Sequence, residues 1–385
     1  MSRQDFSTSE FADRLARVRA EVARRDLDWL VAIHPASLHW LIGSEAKSYQ
    51  EFQCLLVGGD GQPLTALVRQ GEVAELEVES LADEVVGWGG GFAEDPIEVV
   101  ARLARRHGLV GKHIGLEVPA SYLHPYHLLA LQQLFGVERV VDATTLIADL
   151  KLAKSPAELG YIRHAAGLAD QAMARFAREL APGKTELALA GGIYHALLTA
   201  GSDIAASPIN LVSGPRSAFS HGAPTGRMLK NGDFGNVEYG ASFRRYSATL
   251  GRQFVLGRPT PRMLELYDVV RAAADAMLAV MRPGLPAVEA HAAACAVIDA
   301  AGMTPYRVHL SGYGLGPGFP PSWAEPLHLI DGSRYVLEAG MVLTVEPPVF
   351  IGPERLGARL IDNVLITEGG AELLSGFSRE LIIVD

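Results

Sequence analysis

The stretch from Ser213 to Arg252, SGPRSAFSHGAPTGRMLKNGDFGNVEYGASFRRYSATLGR, constrains this chain more than any other. Asn231, Gly232 and Asp233 make a turn signal. FGNVEYGASF and then RRYSATLGRQFVL supply two runs rich in aromatic and β-branched residues, so two antiparallel strands are expected. Alternation across the pleat sends Glu238 to one face together with the side chains two positions away. Flanked by Val237 and Tyr239, this carboxylate is not expected on a plain solvated edge. Two readings stay open on the residues alone. Glu238 forms a structural ion pair with Arg244, Arg245 or Arg252, or it belongs to a site with His221.

The 385 residues are 49% hydrophobic, enough for a large core and about two domains. No apolar run approaches the roughly 18 to 20 residues of a membrane span, and the N-terminal MSRQDFSTSEFADRLARVRA lacks the apolar stretch of a secretory signal. A soluble protein with a cytoplasmic location and no membrane partner is the default expectation. A formal net charge of -10 and no Lys/Arg block argue against nucleic acid, which needs a basic face. A small molecule or a peptide is the more natural ligand. Cys54 (FQCLLV) and Cys295 (AAACAVI) are far apart in apolar surroundings, which predicts buried free thiols and not a disulfide or a metal site.

Along the chain, SEFADRLARVRAEVARRDL (9–27) has apolar positions at helical spacing after a serine cap. DWLVAIHP and QCLLVGGDGQPLTALVR read as strands broken by a turn. EVAELEVESLA, IEVVARLARRHGL and HLLALQQLFG read as helices, with KHIGLEV and RVVDAT as short strands. This α/β pattern is complete over residues 1–150. A second domain, 151–385, opens with a helix capped by Ser155 with Pro156 at its first position, followed by a helix from about Glu186 to Ala200. The hairpin comes next, then two helices and a last third of loop and strand. Helices flanking an antiparallel sheet make this domain α+β, and its element order suggests an internal duplication.

KSPAELGYIRHAA, SGPRSAFSHG, NGDFGNVEYGASFRRYSATLGR, HLSGYGLG and GMVLTVEPPVF resemble, in that order, the creatinase/prolidase/aminopeptidase P family. The resemblance covers essentially the whole chain. It implies a pita-bread C-terminal domain behind a smaller α/β creatinase-like N-terminal domain, and a homodimer. Its metallopeptidases use two metal ions held by two aspartates, a histidine and two glutamates. Carried over, these positions fall on Glu238, Thr249, Tyr313, Glu346 and Ile361, so only two carboxylates remain. A hydroxyl, a phenol and an alkyl chain cannot hold two divalent ions close together. No metal and no cofactor are therefore expected, unless a register shift of one brings in Asp362 or His221. The pattern is similar to the metal-free creatinase branch and, in GYGLGPGFPPSWAE and RYSATLGR, to ectoine hydrolase. Gly251 and EPP at 346–348 depart from those two members, so neither substrate follows.

His221 matches the family's catalytic histidine and His309 a substrate-side histidine. Without metals, Glu238 and Glu346 would face one cavity and repel, and a cationic group between them resolves the conflict. This predicts a small amidine, guanidine or zwitterionic substrate, with His221 as the general base that activates water. His309 is expected to hold an oxyanion or orient water. Tyr313 and Thr249 read equally as site wall or packing. GYGLGPGFPPSW reads as a glycine- and proline-rich loop whose Phe319 and Trp323 flank a planar substrate. Arg252 is counted with the substrate-binding residues. Arg69, Trp40, Tyr49 and Phe52 read equally as residues that reach a neighbouring subunit's site, as the family's dimers imply, or as core and surface residues. The competing functions are a metal-dependent Xaa-Pro peptidase, an inactive binding protein and, more remotely, a lyase.

Overall fold

The computed structural model describes residues 2–384, and the chain divides into two compact units, Met1–Lys151 and Leu152–Asp385. Among the described residues no helix is long and apolar enough to cross a membrane.

In the first unit, α1 (Thr8–Arg24) is capped two residues earlier than expected, by Ser7, whose hydroxyl accepts the Glu10 N–H at 3.2 Å. The chain then runs through β1 (Trp29–Ala32), α2 (Pro35–Ile42), β2 (Cys54–Gly58), β3 (Thr65–Arg69), α3 (Val73–Glu79), β4 (Glu84–Trp88), α4 (Pro96–His107), β5 (Ile114–Leu116), α5 (Pro125–Phe135), β6 (Val140–Asp142) and α6 (Leu146–Leu150). The six strands form one mixed sheet in the order β4-β3-β2-β1-β5-β6. Helix α2 is not evident in the apolar run of the sequence. Its start is organised by the buried Glu117, which accepts N–H bonds from Ile33 and His34 at 2.8 Å and the Ser37 hydroxyl at 2.7 Å. Cys54 is buried in β2.

The second unit opens on α7 (Pro156–Glu179), where Ser155 and Glu158 form a reciprocal capping box, and α8 (Glu186–Thr199). Then come β7 (Asn210–Ser213) and the long hairpin β8 (Phe234–Phe243) and β9 (Tyr246–Leu256). Val237, Tyr239 and Ala241 on one face of β8 pack with Leu168, Ala172 and Phe176 of α7 and Leu189 and Ile193 of α8. Tyr239 fixes this face by donating to the Ala169 carbonyl at 2.7 Å. The period of two therefore turns Glu238 to the opposite face. The hairpin turn is Arg244–Arg245, both at positive φ (50° and 68°), and the Asn-Gly-Asp triplet makes the separate turn before β8.

Helices α9 (Pro261–Val280) and α10 (Ala287–Ala300) follow, with Ala273, Ala274, Ala287, Ala290 and Ala294 buried in one core cluster. The segment expected to be a loop is a second hairpin, β10 (Tyr313–Phe319) and β11 (Ser322–His328). The chain ends with β12 (Val342–Val345), β13 (Val349–Ile351), β14 (Leu356–Ala358), β15 (Asp362–Thr367), β16 (Gly370–Leu373) and β17 (Ile382–Val384). The main sheet runs β16-β15-β12-β10-β9-β8-β7, with β11 on β10 and β17 on β9. Each half of the unit thus contributes a helix pair followed by antiparallel strands to one sheet.

Candidate active site

The open face of the second unit's sheet holds a cavity of about 240 Å³. His221, Glu238, His309, Tyr313, Trp323 and Glu346 all line it, drawn from five separate stretches of the chain. Glu238 comes from β8, opposite Asn210 of β7 and Gly251 of β9. Tyr313 and Trp323 come from the β10–β11 hairpin, and Glu346 follows the end of β12. His221 lies on the loop before β8, and its ring meets that of His309 edge-on with centroids 5.4 Å apart.

The two glutamates are in different electrostatic states. Glu238 Oε2 accepts from Arg359 Nη1 and from Asn210 Nδ2, the latter at 2.9 Å. Burial pulls the Arg359 guanidinium down to about 10, which leaves it charged at neutral pH. Its other nitrogen donates to the Ser220 carbonyl. Glu346 has no such partner. Oε1 is 3.6 Å from His309 Nδ1, and Oε2 is buried with no hydrogen bond among the described residues. Burial raises its carboxyl to about 8, against a smaller pull from the Thr344 hydroxyl. His221 moves the other way, lowered by burial, then by Arg359 and His309, so its imidazole is neutral at neutral pH.

Arg359 replaces the partners anticipated for Glu238. Arg244 lies over Tyr161 and Phe243, and Arg245 over Phe319. Arg252, expected to bind substrate, is fully buried away from the cavity, held by Asp362 at 2.9 Å and by the carbonyls of Ile361 and Ser378. Thr249 is fully buried as well, with its N–H on Asn363 Oδ1 at 2.9 Å, so it is packing and not site wall. Phe319 is likewise buried outside the lining, at the end of a paired strand whose register shifts between Tyr313 and Phe319. In the first unit, Arg69 stacks on Trp88 at 4.7 Å, while Trp40 and Phe52 are buried in that unit's own core.

Asn210, His328 and Arg359 line the cavity without having been singled out in the sequence. A signal for Arg359 existed. It stands two residues before Ile361, the spacing that puts side chains on one face of an extended segment. Asn210 had none, since its place follows from the register of β7 on β8.

The cavity residues do not fit a pair of metal ions. Glu238 is occupied by Arg359, and Tyr313 Oη accepts from Trp323 Nε1 at 3.0 Å. Ile361 offers no donor atom and pairs through its backbone with Gly251. A register shift does not rescue the site, since Asp362 is clamped by Arg252 and by Arg379, the latter at 2.7 Å. Among the described residues no group of three or more His, Cys, Asp or Glu side chains is arranged to hold an ion.

Residues 160–368 match the model of metallopeptidase family M24, and residues 14–152 match the creatinase/prolidase N-terminal domain. The chain is 31% identical to the probable dipeptidase PepE of Mycobacterium tuberculosis over 388 residues, spanning 100% of this chain and 99% of that protein. It is 26% identical to the ectoine hydrolase of Halomonas elongata, with 98% of each covered. The crystal structure of dipeptidase PepE from Mycobacterium ulcerans superposes with a TM-score of 0.87 at 30% identity, over 98% of this chain and 99% of that one. By its two-domain pita-bread architecture and its full-length similarity to these proteins, the chain belongs to metallopeptidase family M24, a family of hydrolases acting on C–N bonds.

Proposed function

We propose that this chain hydrolyses a C–N bond of a small molecule without a metal ion. One observation carries the reading. Thr249, Tyr313 and Ile361 stand at three of the five ligand positions carried over from the family's metallopeptidases, while His221, His309 and Glu346 still converge on one cavity. At about 240 Å³ the cavity is below the ~300–1,000 Å³ of sites that enclose drug-sized ligands.

His221, kept neutral by its surroundings, takes a proton from water. The hydroxyl oxygen bonds to the substrate carbon, the C–N bond breaks, and the same imidazolium gives its proton to the departing nitrogen. Glu346 faces the substrate nitrogen. Glu238 does not share a substrate cation with Glu346, because the protein's own Arg359 guanidinium takes that cation's place.

The test is amine release from a panel of amides, amidines and guanidines by protein dialysed against a chelator. Turnover should survive the chelator, with less than about a tenth of an ion per chain by mass spectrometry. His221→Ala should lower kcat by about 10²- to 10⁴-fold. A second reading, dipeptide hydrolysis, rests on the 31% similarity to a probable dipeptidase. X-Pro and other dipeptides belong in the same assay, with and without manganese, and turnover that requires manganese would sink the metal-free mechanism.

A further inference from the structure

Arg359 is the one Lys or Arg side chain among the residues lining the cavity, and both ends of its guanidinium are engaged, by Glu238 and by the Ser220 carbonyl. A substrate carboxylate therefore finds no free cation here. His221 and His328 are both held towards their neutral forms by burial first, and so are not ready substitutes. The remaining groups favour the opposite charge. Glu346 lines the cavity at 5% exposure, and its Oε2 is buried with no hydrogen-bond partner among the described residues. Trp323 lines the same space and offers an aromatic ring to a cation.

From this asymmetry we infer that the site takes an organic monocation of the amidinium or guanidinium class that carries no carboxylate, and that Glu346 is its anchor. The inference rests on the reading of this cavity as the active site and narrows its substrate. Zwitterions and dipeptides are disfavoured because their carboxylate would be desolvated without a counter-charge.

Binding such a cation requires Glu346 to be ionised, whereas at pH 7 it carries its proton. The groups facing it are His309 at 3.6 Å, the Thr344 hydroxyl and Tyr313, whose phenol is pushed up by burial and by the Glu346 charge. The cavity's other titratable groups are Glu238, paired with Arg359, and His221 and His328. Apart from Arg359, held by Glu238, none offers a competing cation of the Lys or Arg kind. Cation binding at pH 7 should therefore expel close to one proton, and affinity should rise about tenfold from pH 7 to pH 9.

Isobutylguanidinium and guanidinoacetate are matched probes, with the same number of non-hydrogen atoms and differing in the carboxylate. Calorimetric titration of the full-length protein with each, in two buffers of different ionisation enthalpy, reads both affinity and proton release. Isobutylguanidinium should bind at least about tenfold more tightly than guanidinoacetate. Glu346→Gln should abolish its proton release and most of its affinity. Because proton release is read on the unaltered protein, the test does not depend on the variant folding. Equal or tighter binding of guanidinoacetate, binding without proton release, or no binding of either probe would each overturn the inference. Binding as expected with no turnover in the hydrolysis panel would keep the inference and sink the hydrolase reading. Metal-free turnover of a carboxylate-bearing substrate would do the reverse.

Discussion

Glu238 and Glu346 line one cavity and are almost equally buried, at 7% and 5% exposure, yet the fold treats them in opposite ways. Glu238 meets a guanidinium and an amide. Glu346 meets a histidine at 3.6 Å on one oxygen and the lesser pull of the Thr344 hydroxyl, and its Oε2 has no hydrogen-bond partner among the described residues. Burial is common to both, so it cannot explain the difference. What separates them is the partner supplied by another stretch of chain. A paired buried carboxylate is a structural fixture, and an unpaired one is a reservoir of binding energy for whatever cation arrives.

The largest effect that would break this contrast is removal of Arg359. Arg359→Met leaves Glu238 buried with Asn210 alone and should cost about 3–5 kcal/mol in urea denaturation. The double variant Glu238→Gln/Arg359→Met should recover most of it. A loss below about 1 kcal/mol in the single variant would mean that the pair is not a fixture.

Next comes the pH dependence carried by Glu346. Its carboxyl is raised in the folded protein, so its contribution to stability is full below the ordinary value of 4.5 and is lost as the pH rises through about 8. The native protein should lose about 2–4 kcal/mol between pH 5 and pH 9 through this group. Glu346→Gln should remove that slope, and equal slopes in the two proteins would contradict the orphaned state of the carboxyl. A smaller test sharpens the other side. Asn210→Ala deletes one bond to Glu238 and should cost about 1–2 kcal/mol, with no change in the pH slope.

Much of the fold is legible from local pattern. Ser155 and Pro156 announce the first helix of the second unit, and the alternation around Val237 and Tyr239 announces β8. The turn joining β8 and β9 was not legible, because two arginines at positive φ carry none of the glycine or asparagine signal such turns usually show. Arg244 and Arg245 are held there by the rings of Tyr161, Phe243 and Phe319. GYGLGPGFPPSW misled in the other direction. Its glycines suggest a loop, yet Gly316 and Gly318 are strand positions where a Cβ would collide with Glu325 and with Ser247 and Trp323.

By itself the sequence determined which residue types reach the site. The resemblance carried by its motifs points to His221, Glu238, His309 and Glu346 and implies the replacement of carboxylate ligands by Thr249 and Ile361, while Tyr313 stays open between site wall and packing. Only the tertiary structure decided what those residues are in charge and reach. Arg359 is 121 positions from Glu238, and Arg252 is 110 positions from Asp362. Which arginine answers which carboxylate depends on sheet register, and a side chain's charge state depends on the neighbours that register brings within a few ångströms.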